Sequence, residues 1–358
     1  MPPPGYPGYW PPPGYGGPPP GYGPPPHGYR PPPVPGVAKP GIIPLRPLTL
    51  SEIFNGAVGY IRTNPKATLG LTATVVVVMQ FIMLIAFTGP LTVHGKFTSG
   101  RADELTWGII GAWAASLAAA LLVAWLGGIL LSGMLTVIVG RAVFGSPITI
   151  GEAWAKIRGR LLSLFGLALL EAAIVAALFG LVAVIMATLV AIGGSVAAVL
   201  LGFPLMLVVI ALTVYLYTMV LFAPVLIVLE RLPVVDAVSR SFALVRNGFW
   251  RVLGIRALTY IVVTVVADAI AVPFSIVGQV MLAGTPSTGL MLTGTAIASI
   301  GSAIGQIITA PFNAGVIVLL YTDRRMRAEA FDLVLQSGAA GGPYATASTD
   351  NLWLTRPA

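Results

Sequence analysis

Two carboxylates stand inside long uncharged stretches, and they are the first residues to weigh for chemistry. Glu171 is the one acidic or basic residue between Leu161 and Leu229, and Asp268 the one between Ala257 and Thr322. A carboxylate at the centre of a membrane helix costs about 2.5–3.5 kcal/mol on insertion scales. It therefore tends to face a cavity or a partner. The chemistry such a pair could carry is a proton or cation relay. The plainer and favoured reading is a protonated or hydrogen-bonded packing group, with Gln80, Gln279, Gln306 and Asn313 as available partners. Other chemistries lack their residues. The chain has no Cys, which excludes disulfides, thiolate metal sites and Cys nucleophiles. Its two His, His27 and His94, lie far apart. There is no GxSxG, Walker A, HExxH or dinucleotide loop. The expectation is a protein without enzymatic activity, cofactor or metal.

The composition says what surrounds these residues. The chain is 56% hydrophobic and only 9% charged, against roughly 25% charged in a soluble domain. Too little charge remains to cover a water-facing surface, so lipid is the main solvent. No signal peptide is read at the start, where the sequence is rich in Pro and Gly. Charge-free stretches and their Gly-rich interruptions give six spans near 67–90, 106–139, 161–192, 196–229, 250–281 and 290–321. The hairpin helices hold about 30 residues, so about 45 Å at 1.5 Å per residue. That exceeds a hydrocarbon core of about 30 Å, and they must tilt, protrude or include a re-entrant piece.

Basic residues gather at every second junction. With six spans, 18 of the 20 Lys and Arg fall on one side, and only Lys96 and Arg101 on the other. Lys and Arg favour the cytoplasmic face, so both termini are expected in the cytosol. Arg62, Lys66, Lys156, Arg158, Arg160, Arg240, Arg246, Arg324, Arg325 and Arg327 are read as basic residues at the membrane surface. They would hold anionic lipid at about 1 kcal/mol each. The net charge of +8 is thereby explained without nucleic acid.

A threefold repeat underlies the spans. Thr49-Leu50-Ser51-Glu52 and Thr149-Ile150-Gly151-Glu152 are capping boxes, and Pro233-Val234-Val235-Asp236 opens a third helix with Pro in its first turn. Apolar residues follow at helical spacing: Leu50, Ile53, Phe54, Ala57, Val58 and Ile61; Ile150, Ala153, Trp154, Ile157 and Leu161; Val235, Val238, Phe242, Val245 and Phe249. The predicted amphipathic helices near 50–63, 150–159 and 234–247 lie in the interface, with their apolar faces in the headgroup boundary. Glu52 to Gly70 and Asp236 to Gly254 are the same distance apart, and Glu152 to Gly166 is about one turn shorter. Each interfacial helix should bend sharply into its span. Asn64-Pro65 restarts the first, and at Asn247-Gly248 the glycine suits a left-handed helix end. The fold class is all-α: a polytopic membrane bundle of six transmembrane helices in three such repeats.

Small residues predict how the spans meet. The second carries Ala112, Ser116, Ala120, Ala124, Gly128 and Ser132, all four apart, as a packing seam. The sixth carries Gly294, Ala298 and Ser302 with Gly301 and Gly305 alongside. Pro204, Pro224, Pro273 and Pro311 are expected to kink their helices, either as packing adjustments or as hinges. Residues 1–46 are rich in Pro, Gly and Tyr and should be a disordered cytosolic arm. That arm is either a spacer or an adhesive segment whose Tyr6, Tyr9, Trp10, Tyr15, Tyr22 and Tyr29 bind protein partners. The membrane domain is expected over 47–335, followed by a flexible tail over 336–358.

Phe222-Ala223-Pro224-Val225-Leu226-Ile227-Val228-Leu229-Glu230 is followed by Asp236-Ala237 and Ser241-Phe242-Ala243-Leu244-Val245-Arg246. With Pro44-Leu45-Arg46-Pro47-Leu48 and Tyr321-Thr322-Asp323-Arg324-Arg325-Met326-Arg327-Ala328-Glu329-Ala330-Phe331-Asp332-Leu333, these segments resemble a known family. It is the glycerophosphoryl diester phosphodiesterase membrane-domain family of actinobacterial multi-pass proteins. The resemblance covers about 46–335. It implies a bacterial plasma membrane, with mycobacteria the narrower expectation. That family is named for fusions to a catalytic barrel. This chain has no such barrel and too few His and acids for its metal site, so phosphodiesterase activity is not implied. The expected role is a scaffold or assembly component of the cell envelope. The alternative is a transporter, or a subunit of one, for a lipid or small solute.

Overall fold

The computed structural model describes residues 41–44, 46–94, 102–283, 288–331, 333 and 349–354. His27, Arg30, Lys39, the aromatic residues of the N-terminal arm, Lys96 and Arg101 lie outside them. Among the described residues every regular element is helical. Six segments are long and apolar enough to cross a membrane, so the protein is an all-α, multi-pass membrane protein.

Three short amphipathic helices come where the periodicity places them. These are α1 (Leu50–Thr63), α4 (Ile150–Ile157) and α7 (Val234–Arg246). The first two begin with complete capping boxes. Thr49 Oγ1 accepts from the Glu52 amide at 3.3 Å, while Glu52 Oε2 accepts from the Thr49 amide at 2.7 Å. Thr149 and Glu152 repeat the exchange at 3.3 and 3.2 Å. Pro233 starts α7 without a side-chain cap.

The apolar stripes are not simply laid on lipid. Ile53, Ala57, Ala153, Ile157 and Val245 are fully buried against the rest of the protein. Only one edge of each stripe is exposed, at Leu50 and Val58, at Ile150 and Trp154, and at Val235. Tyr60, also fully buried, donates its hydroxyl hydrogen to the carbonyl of Pro311. The interfacial helices are thus built into the bundle.

The spans are α2 (Leu71–His94, entered through a wide turn at Lys66–Gly70), α3 (Ala102–Val143), the two arms of α5 (Leu161–Val220), α8 (Phe249–Leu282) and α9 (Thr288–Glu329). Short α6 (Ala223–Val225) and a second wide turn (Leu226–Glu230) close the second arm of α5. Gly194 breaks α5 with φ 77° and ψ 177°, values that favour glycine. A Cβ on Gly202 would lie 1.9 Å from the Met186 sulfur. In an unbroken helix those residues would stand about 24 Å apart, so the chain reverses at Gly194 and α5 is a hairpin. Arg160 Nη1 donates to the Arg231 carbonyl at 2.9 Å and ties its two ends together.

α9 is the hub, packing on α8, α1, α2 and α3. Its contact with α8 uses the small residues expected for it. A Cβ on Gly278 would lie 2.5 Å from the Gly294 carbonyl oxygen and 3.5 Å from the Ala298 methyl carbon. The α3 seam departs from expectation. Ala120 is buried and Ser116 donates to the Ala86 carbonyl at 3.2 Å, but Ala112 and Ser132 are exposed and a Cβ on Gly128 would meet nothing. Close approach moves to Gly127 against Met79, Gly133 against Leu164 and Gly140 against Leu229. At 3.6 residues per turn, each step of four rotates about 40° around the helix, so six residues spread over five such steps cannot face one neighbour.

Burial is lopsided. The core gathers where α3 ends, where α5 and α8 begin, and where α9 ends, around Leu135, Ile138, Phe222, Leu226, Val318, Leu319 and Tyr321. The most apolar window of the sixth span is 56% buried, but those of the third and fifth are 6% buried. Lipid tails are as apolar as the side chains, so nothing drives those far ends together. Ile43 and Trp353 join the core. Residues 41–44 and 349–354 therefore belong to the packed body, a wider range than the sequence assigns to it.

Candidate functional site

The basic junctions converge at one end of the bundle, and two arrangements form there. The first is a buried lattice of charge. Glu230, with no side-chain exposure, has Arg240 Nε at 2.7 Å and Arg325 Nη1 at 3.4 Å. The Arg240 approach falls outside hydrogen-bond angles, while the Tyr321 hydroxyl donates to the carboxylate directly. Arg240 and Arg325 also share Glu329, at 2.8 and 3.0 Å. Arg325 then donates to the Trp353 carbonyl at 3.1 Å and lies 4.0 Å above the Phe331 ring. Asp323, equally buried, accepts from the Leu48 amide at 2.8 Å and pairs with Arg251 at 3.3 Å and Arg327 at 2.9 Å. Arg251 and Arg327 also donate to the Leu48 carbonyl. Arg324 donates to the Leu244 carbonyl at 3.1 and 3.0 Å. A few guanidinium groups thus tie the segment before α1, the end of α7, the start of α8, the end of α9 and the C-terminal turn.

Two expectations are corrected here. Arg324 and Arg325 are buried, not at the membrane surface, because carboxylates and free carbonyls await them inside. Gly248 has φ −151°, so it is not left-handed. It is required because a Cβ there would sit 2.3 Å from the Arg324 guanidinium. Arg62, Lys66, Arg158 and Arg246 are exposed as expected, and Arg240, Lys156 and Arg160 are half-buried.

The second arrangement is a cavity of about 310 Å³ lined by Arg141, Lys156, Arg160 and Arg231, with Trp353 as one wall. Its four cations come from α3, α4, the turn after α4 and the turn before α7. Arg231 is held left-handed at φ 59°, an uncommon state for a residue with a Cβ. A second cavity, about 690 Å³, lies between α1 and the turn before α4, with Glu52, Asn55, Asn64 and Ser146 in its lining.

The family model of a domain of unknown function, DUF7847, matches residues 48–324. The chain belongs to the DUF7847 family. No curated protein and no solved structure matches it. The DUF7847 match opens at Leu48 and closes at Arg324, so it takes in both partners of the bond from Leu48 to Asp323. All four cations of the smaller cavity lie inside it, and Arg325, Arg327, Glu329 and Trp353 lie beyond it.

The intramembrane carboxylates are elsewhere. Glu171 is half-buried in the first arm of α5 and Asp268 is exposed in the middle of α8. Neither lines the two cavities above. Of their suggested partners, Gln80 and Gln306 both donate to the Ser302 hydroxyl, and Asn313 accepts from Arg256. Arg256 also reaches the Tyr217 hydroxyl at 3.2 Å, linking α8 to α5.

Arg231, Arg251 and Trp353 are not singled out by sequence, and Glu230 and Asp323 enter it only within the family-like segments. One signal was there. The fourth and sixth charge-free stretches each end in an acid followed by Arg, as Glu230-Arg231 and Asp323-Arg324.

Proposed function

We propose that this protein is a non-enzymatic scaffold or assembly component of the bacterial cell envelope. In this reading it sits in the plasma membrane with the lattice end, both termini and the three amphipathic helices in or facing the cytosol. The observation that supports it most is the lattice itself. Buried carboxylates cross-link one end into a rigid base, while the apolar arms of α5 stand almost wholly exposed for lipid. A base of fixed shape at the headgroup level, rimmed by Arg62, Lys66, Arg158 and Arg246, suits a platform on anionic lipid. The bacterial membrane rests on the resemblance to the glycerophosphoryl diester phosphodiesterase membrane-domain family, and the cytosolic side on the basic residues. The Tyr-rich arm would recruit protein partners. Deletion of residues 1–40, which spares the packed Ile43, should strip those partners in a pull-down while the membrane domain still inserts; an unchanged set of partners would refute the recruiting role.

A transporter is the second reading, favoured by Asp268. An exposed carboxylate in mid-span is costly in lipid and calls for a transported cation, a proton or a partner helix. Glu171→Gln with Asp268→Asn should then abolish a flux without reducing expression.

A further inference from the structure

We propose that the outer face of α8 around Asp268 is the contact between two copies of this chain in the membrane. The inference goes beyond both readings above and needs neither.

Asp268 is exposed in the middle of α8, half-buried Thr264 stands one turn before it, and exposed Gln279 three turns after it. At 100° per residue the three lie within an arc of about 60° on one side of the helix. Among the described residues none of these side chains has a hydrogen-bond or ion-pair partner. Val265 and Val272 flank Asp268 on the same side and are exposed. α9 does not cover this face. It meets α8 through Ala267, Phe274 and Gly278, which pack on Gly305, Gly301 and Gly294, about 100° round the helix from Asp268. α5 meets the start of α8, where Tyr215 packs on Phe249 and Tyr217 on Arg256.

In the hydrocarbon core an unanswered polar group has no water to turn to. Copies of one membrane protein share one orientation, so a two-fold axis along the membrane normal brings equal depths of α8 together. Thr264, Asp268 and Gln279 would then each meet their own counterpart. A hydroxyl, a neutral carboxyl and a primary amide each hold a donor and an acceptor, so all three can pair with a copy of themselves. Polar side chains between membrane helices act as such glue. A foreign helix bearing a cation would answer Asp268 and leave the amide and the hydroxyl. A transported cation would need a cavity, and neither cavity described above includes Asp268.

The test uses the full chain in vesicles of neutral lipid, over a series of protein-to-lipid ratios. Single thiols serve as probes, because the chain has no Cys. Val272→Cys lies beside Asp268, and Val266→Cys is also exposed but stands about 160° round the helix from Asp268. Oxidation should join copies of Val272→Cys and leave Val266→Cys monomeric. Association is then measured by energy transfer between copies labelled at Ser239→Cys. Asp268→Ala should weaken it about tenfold, from the loss of an interhelical polar pair. Asp268→Asn keeps a donor and an acceptor and should stay within about twofold. If Asp268→Ala does not insert, Gln279→Ala takes its place, with a loss in the same direction. No energy transfer at any dilution, equal crosslinking at the two thiols, or an Asn variant as weak as the Ala variant overturns the contact.

Discussion

Glu230 carries more of this structure than its position at the end of a span suggests. Its carboxylate faces Arg240 and Arg325 and accepts from Tyr321, all with no exposure of its own. Removing it leaves buried Arg325 and half-buried Arg240 with Glu329 as their shared acid, and breaking a buried pair costs about 3–5 kcal/mol. Glu230→Ala should therefore lower the thermal midpoint sharply, whereas Glu52→Ala, which opens a surface cap and a surface pair with Arg46, should cost about 1 kcal/mol. Unfolding of the two variants side by side checks the ranking. The Glu52 carboxyl is held below its ordinary value of 4.5, chiefly by the Thr49 amide, against a smaller upward push from burial. A carboxyl lowered in the folded state gives stability above its unfolded value and loses it as pH falls through the folded one. Amide exchange in the first turn of α1 should accelerate on acidification below pH 4.5 and change less in Glu52→Gln. At this scale the capping boxes were legible, because each needs two residues three apart. The lattice was not, because Leu48 and Asp323 are 275 residues apart and nothing local announces their bond.

The elements were legible where a charge or a glycine marks their ends. Six spans and three amphipathic helices follow from apolar runs, periodicity and caps, and the Gly193-Gly194-Ser195 interruption is where α5 turns. What pattern could not give is which face meets which neighbour. The row of small residues on α3 rotates away from any single partner, and Gly248 is required by Arg324 from another helix and not by its own backbone. The hairpin makes a direct prediction. Met186→Cys with Gly202→Cys places the only two thiols of the chain on facing arms. Mild oxidation should join them, seen as a mobility shift that reductant reverses. No crosslink would fit a continuous α5, in which they are about 24 Å apart.

Across the described residues, most of the charge that the sequence scatters along the chain is collected at one end. The same end holds the buried core, the closed ion pairs and both cavities, while the apolar helices beyond it stay open to lipid. This division follows from the solvent. Burial of apolar surface is driven where water reaches, and inside the bilayer helices need only touch where small residues allow close packing. The direction in which this end faces decides the platform, the anionic lipid and the cytosolic arm together. The chain has no Cys, so single thiols at Ser195→Cys, in the hairpin turn, and Ser239→Cys, at an exposed position of α7, can be read without background. A membrane-impermeant maleimide applied to intact cells should label the first and reach the second only after permeabilisation. Labelling of Ser239→Cys from outside, with Ser195→Cys protected, would contradict the account.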